Sequence, residues 1–183
     1  MKKKYAGKFI FAMEESHGYL MGEHSGDKDG IWAAMTFAEM NAELKANHLT
    51  PIEKLDQIYK KYGAHLDKLE TKTINGKRGI EEISGIVSKL RNSPPSTIGG
   101  EKVLKITDLL KNKIIYTEKN LVTKGPELPI SNVISFELSS GSRIIVRPSG
   151  TEPKIKYYFN LRGENIEILN KRFLQLRKSI IKD

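Results

Sequence analysis

Cysteine is absent from these 183 residues, which excludes disulfides, thiolate zinc sites and thiol nucleophiles together. A disulfide-stapled secreted scaffold is therefore not expected. Long apolar runs are missing too. Behind the basic start Met1-Lys2-Lys3-Lys4, the apolar run at 9–13 is too short for a signal-peptide core or a membrane span, so the cytoplasm is the expected compartment. Tryptophan occurs once and proline seven times, and no segment is biased enough in composition to read as disordered.

The charge is one-sided. Thirty-one basic residues against 22 acidic ones leave +9, a balance that invites nucleic acid, anionic membrane or phosphorylated metabolites. The lysines are spread along the chain and few of the aromatics, 8% of residues, interleave with them, so a single-strand-binding groove is disfavoured. Hydrophobic residues at 38% suit a folded core, and the length suits one domain plus a partial or small second one.

Residues 8–13 read as a short buried strand running into the polar turn Glu14-Glu15-Ser16-His17-Gly18. A second polar loop at 22–29 ends on Asp29, an N-cap for a helix over 30–45 that is apolar on almost every face, which puts Trp32, Met35, Phe37 and Met40 in a core. Thr50-Pro51-Ile52-Glu53 predicts a second helix start, by capping box and first-turn proline, and Gly63 its stop. Ile80, Ile83, Val87 and Leu90 mark a third helix, ended by Ser93-Pro94-Pro95. Further on come β-prone runs at 103–106, 113–117, 134–138, 143–147 and 155–159, the third and fourth joined as a hairpin through Ser139-Ser140-Gly141-Ser142. Leu169, Phe173, Leu176 and Ile180 then fall at helical spacing, giving a last helix able to cover one sheet face.

Two stretches carry chemistry. Arg147-Pro148-Ser149-Gly150-Thr151-Glu152-Pro153-Lys154 joins two expected strands. The Arg147 guanidinium is a planar fork for two phosphate oxygens, the Ser149 and Thr151 hydroxyls add donors, and Gly150 permits close backbone approach. Read by itself, the same stretch is also a good solvated turn. Glu14 to Gly18 offers carboxylates and a hydroxyl for directional hydrogen bonds to sugar hydroxyls, and by itself it too reads as a solvated turn. His17, His24, His48 and His65 receive no catalytic role, and Glu14, Glu15, Asp27 and Asp29 lack the spacing of a calcium loop, so no metal is expected on this chain.

Residues 147–154 resemble the phosphate-binding signature of the last domain of the α-D-phosphohexomutases, the phosphoglucomutase and phosphomannomutase family. In that family the loop holds the phosphate that is not transferred, so the resemblance assigns phosphate contacts to Arg147, Ser149, Gly150 and Thr151. Glu14-Glu15-Ser16, ahead of Asp27-Lys28-Asp29-Gly30, is similar to the family's Glu-x-Ser sugar loop and stands in the family's order. It implies sugar contacts for Glu14 and Ser16 and an electrostatic or proton-transfer role for Lys28. Many relatives carry arginine directly before the acidic-Lys-Asp run, where this chain has Gly26. The Glu-Glu-Ser form looks more like the phosphoglucomutase branch.

The resemblance implies a fold in two parts. Residues 1–70 correspond to an α/β partial domain, an incomplete mixed sheet with packed helices; residues 71–183 correspond to an α+β domain with an antiparallel sheet flanked by helices. The family's phosphorylatable serine and its Asp-Gly-Asp-x-Asp-Arg magnesium loop are not in this sequence. Full-length members use Mg2+ and a hexose 1,6-bisphosphate; no cofactor is expected on this chain alone, which is expected to be inactive in phosphoryl transfer. Expected partners are a hexose phosphate and either the missing amino-terminal mutase domains or a second copy, with no membrane. A stand-alone phosphosugar-binding module is the alternative, and a basic nucleic-acid-binding protein the third reading.

Overall fold

The structure, a computed structural model, describes residues 9–14, 17–76 and 78–181. The chain forms two compact units, Met1–Gln57 and Ile58–Asp183. No helix among the described residues is long and apolar enough to cross a membrane.

In the first unit, strands β1 (Phe11–Glu14) and β2 (Gly18–Met21) pair antiparallel, Glu14 facing Gly18. His17, at φ +65°, turns the chain back into Gly18. Helix α1 (Gly30–Ala46) starts at the expected cap: Asp29 Oδ1 accepts from the backbone N–H groups of Ile31 and Trp32 at 3.0 Å each. Helix α2 (Pro51–Tyr62) opens on a full capping box. The Thr50 N–H donates to Glu53 Oε2 at 2.8 Å, and the Glu53 N–H returns to Thr50 Oγ1 at 3.2 Å. Gly63, at φ +87°, ends it.

Two expectations for this unit need correction. All four residues of β1 are exposed, where a buried strand was expected, and among the described residues the strands form an antiparallel hairpin, not a mixed sheet. Likewise α1 buries only Leu44, and Trp32, Met35, Phe37 and Met40 are all exposed. An all-round apolar helix signals burial only where neighbours cover more than one face, and within this unit the hairpin covers one.

The second unit is built on an eight-stranded antiparallel sheet. Strands β3 (Ala64–Thr73), β4 (Thr97–Ile98), β5 (Glu101–Asp108), β6 (Lys113–Tyr116), β7 (Leu121–Lys124), β8 (Ile134–Leu138), β9 (Arg143–Pro148) and β10 (Lys154–Gly163) run in the order β3-β10-β9-β8-β5-β6-β7, with β4 paired to β5. Helices α3 (Gly79–Asn92) and α4 (Ile166–Ile180) cover its apolar face. Period-two alternation points Ile144, Val146, Ile155, Tyr157, Phe159 and Leu161 to that face, where Ile83 and Val87 of α3 and Leu169, Phe173 and Leu176 of α4 meet them. Phe159 and Phe173 pack edge to face with centroids 5.2 Å apart. The expected β8–β9 hairpin forms, with Gly141 at φ +79°.

β3 pairs with β10 from Thr73↔Lys154 to Ala64↔Gly163. Residues 64–70 thus pack with the second compact unit, and the boundary between the two units falls inside α2. A ten-residue ladder ties this strand to the large sheet, which outweighs its position in the sequence.

Candidate functional site

The candidate phosphate loop leaves β9 at Pro148 and enters β10 at Lys154. Pro148 faces Ile155 in the ladder, and the Ser149 N–H donates to the Lys154 carbonyl at 2.8 Å, so the two strands clamp the loop at its base. Ser149 shapes the interior: its hydroxyl accepts from the Thr151 N–H at 3.4 Å and the Glu152 N–H at 3.2 Å. Its own hydroxyl proton then remains as a donor. Glu152 reaches the Lys154 ammonium at 3.0 Å. Pro153 is anchored from the side, its carbonyl accepting from the Ile74 N–H at 3.0 Å. Gly79, the first residue of α3, sits so close to it that a Cβ there would stand 3.0 Å from the proline Cβ.

Arg147 is exposed, and by strand alternation it lies on the face opposite the buried Val146. Directly across the ladder is Lys156, on that same outer face. Two cations in facing positions repel. Among the described residues neither has an acidic partner. Sequence periodicity makes Lys156 a solvated edge residue; the signal that would have singled it out is register, which no single segment contains. Gly150 is exposed, has no positive φ, and would place a Cβ in open space.

In the first unit, Glu14 ends β1 and Lys28 lies in the loop before α1. Lys28 Nζ donates to Glu14 Oε1 at 2.8 Å. The Glu14 carboxylate, by this hydrogen bond and its charge, raises the Lys28 pKa above the usual lysine value. Gly18 is the residue that sequence reasoning missed: a Cβ on it would stand 2.2 Å from Lys28 Cδ and 2.8 Å from Glu14 Cγ. Ser16 and Glu15 lie outside the described residues. Asp29 carries three bonds at once, holding the start of α1 and accepting from His24 Nε2 at 3.1 Å. The Trp32 N–H first, and then His24, lowers the Asp29 pKa. The His24 ring also rests against Trp32 with centroids 4.5 Å apart.

A magnesium ion needs several convergent oxygens. Among the described residues no three histidine, cysteine or acidic side chains are placed to hold a metal. Glu14 is engaged by an ammonium and Asp29 by backbone donors, so these acids do not fit the ion's requirements.

Comparison with known proteins gives a consistent picture. Residues 1–62 match the family described as phosphoglucomutase/phosphomannomutase, alpha/beta/alpha domain III, and residues 38–165 match its C-terminal domain. A phosphoglucomutase of Staphylococcus aureus (strain USA300) is 39% identical over 158 residues, 86% of this chain and 28% of the relative. That of Staphylococcus saprophyticus is 38% identical over 167 residues, 90% of this chain and 29% of the relative. The chain therefore spans less than a third of the length of the curated relatives it matches. The open form of the exocytosis-sensitive phosphoprotein pp63/parafusin, a phosphoglucomutase from Paramecium, superposes with a TM-score of 0.59 at 22% identity, covering 91% of this chain and 28% of that one. That likeness establishes the fold.

Proposed function

Because the chain belongs to the phosphoglucomutase/phosphomannomutase family, we propose that it is the sugar-phosphate recognition portion of a phosphoglucomutase-like phosphohexomutase, which interconverts hexose 1-phosphate and hexose 6-phosphate. The observation that carries the proposal is the pairing of Arg147 and Lys156 beside an open, glycine-bearing loop. Facing cations without an acidic partner are relieved by a dianion, and a glycine that neither backbone angle nor packing requires is accounted for by close approach of an external group. Arg147 forks onto two phosphate oxygens, the Ser149 and Thr151 hydroxyls donate to the others, and the backbone at Gly150 closes on the anion. The clamp at the loop's base holds these donors in place before the ligand arrives.

In the first unit, Glu14 and Ser16 serve the sugar hydroxyls. With Asp27 and Asp29 nearby in sequence and Gly26 where many relatives carry arginine, this stretch suits neutral hydroxyls better than a second phosphate. Lys28, held against Glu14, supplies a positive charge beside the sugar. Glucose phosphate is the preferred substrate, supported by the Glu-Glu-Ser form and by relatives named phosphoglucomutase. The chain contributes binding and not the phosphoryl donor: neither the phosphorylatable serine motif nor the magnesium loop is in its sequence. Mixing it with a separately made amino-terminal mutase portion is expected to restore interconversion of glucose 1-phosphate and 6-phosphate. An assembled complex with no turnover would contradict the proposal.

The stand-alone phosphosugar-binding module has one observation in its favour. The whole phosphate loop, its sheet and its buried core lie within Ile58–Asp183, so the anion's ligands need no other chain to hold them. Binding without any restored turnover would favour this second reading.

A further inference from the structure

A cavity in the second unit plays no part in the sugar-phosphate chemistry proposed above. Its volume is about 310 Å³, and Ile86 and Leu90 of α3, Ile98 of β4, Tyr157 of β10 and Ile180 of α4 line it. Ile98, Tyr157 and Ile180 are buried, and exposed Lys89 stands at its edge. Tyr157 is the one polar side chain among these buried lining residues, and it is only 1% exposed. Among the described residues its hydroxyl makes no hydrogen bond, yet it is not sealed from solvent, so it is free to donate to a molecule in the cavity. Ser93, Thr97 and Ser179, all exposed, complete the polar part of the lining, so Tyr157 is the one donor among its buried side chains.

We propose that this cavity is a binding site for a small, uncharged, mainly apolar molecule carrying one hydrogen-bond acceptor, which the Tyr157 hydroxyl engages. Size sets the upper limit. An apolar cavity of about 150 Å³ holds benzene, so about twice that volume holds two fused rings. The part of the ligand that rests against Ile98, Tyr157 and Ile180 carries no charge, because no counter-ion stands there and Lys89 lies out at the exposed edge. The hydroxyl acts as donor at all ordinary pH values, since burial pushes its pKa up from the usual tyrosine value. The inference is independent of the phosphate loop and stands or falls apart from it.

The bicyclic ketone tetralone and its parent hydrocarbon tetralin differ in the one acceptor that matters. Each would be titrated into the full 183-residue chain and followed by the methyl NMR signals of Ile86, Leu90, Ile98 and Ile180. Both are expected to shift these methyls, with tetralone bound about tenfold more tightly, the scale of one net hydrogen bond. Tyr157→Phe, which removes a single oxygen and keeps the ring, should bring tetralone to the affinity of tetralin and leave tetralin unchanged. Leu90→Trp, which fills the space, should abolish both. The proposal is overturned if the methyls do not move, if the shifts fall on the exposed apolar side of α1, or if Tyr157→Phe leaves the ketone preference intact.

Discussion

Lys28 reaches Glu14, 2.8 Å away, by lying across Gly18 so closely that even one methyl group on that glycine would meet the lysine chain at 2.2 Å. Gly18→Ala should therefore push Lys28 aside and separate the two charges. In lysine-labelled protein followed by NMR, Lys28 is expected to titrate above the usual lysine value, because Glu14 favours its charged form. In Gly18→Ala and in Glu14→Gln it should return to the usual lysine range. Because the pair is exposed, added salt should weaken the difference in the wild type.

Acidification should unravel the starts of α1 and α2. Asp29 is held below its usual carboxyl range chiefly by the Trp32 N–H, and Glu53 by the Thr50 N–H. A depressed folded pKa gives a contribution that is complete above the unfolded values of about 3.9 and 4.3, and that disappears as pH falls through the lower folded values. Far-ultraviolet circular dichroism should show helix loss across that window. Asp29→Ala with Glu53→Ala should have less helix at neutral pH and a shallower change on the acid side.

Burial separates two ion pairs that look alike on paper. Arg91 Nε bonds both Asp108 oxygens at 3.1 Å with side chains 6% and 2% exposed, while Arg143 meets Glu137 at 3.0 Å with side chains 50% and 31% exposed. Asp108 also accepts from the Leu110 and Lys111 N–H groups, so it ties α3 to the turn after β5. Removing one member of a buried pair strands the other, and Arg91→Ala should cost about 3–5 kcal/mol in urea unfolding. Arg143→Ala should cost less than about 1 kcal/mol.

Local rules made much of this architecture legible. The Asp29 cap, the Thr50–Glu53 capping box, the glycine stop at 63 and the Leu169-Phe173-Leu176-Ile180 stripe depend on residues within a few positions of each other, and all appear as read. β3 did not show itself because only Ala64 of its ten residues is buried and its outward side is charged, as suits an edge strand whose stability comes from pairing with β10. The exposure of Trp32 and Met35 was hidden for the opposite reason: composition reports how apolar a helix is, and what packs on it is set elsewhere.

The candidate site divides along the same line. The loop residues were visible as a contiguous motif, whereas the Arg147–Lys156 pairing and the Gly18 seat for Lys28 exist only once strands are in register and a loop has folded back. Neither relationship has a fixed sequence spacing, so no motif announces it.

The most direct measurement is isothermal calorimetry of glucose 1,6-bisphosphate against the intact chain and its Arg147→Ala variant. Binding should release measurable heat in the wild type, weaken steeply in the variant, and weaken again with Lys156→Ala. A wild type and an Arg147→Ala protein that both stay silent, or that bind equally well, would contradict the assignment of a phosphate to this loop.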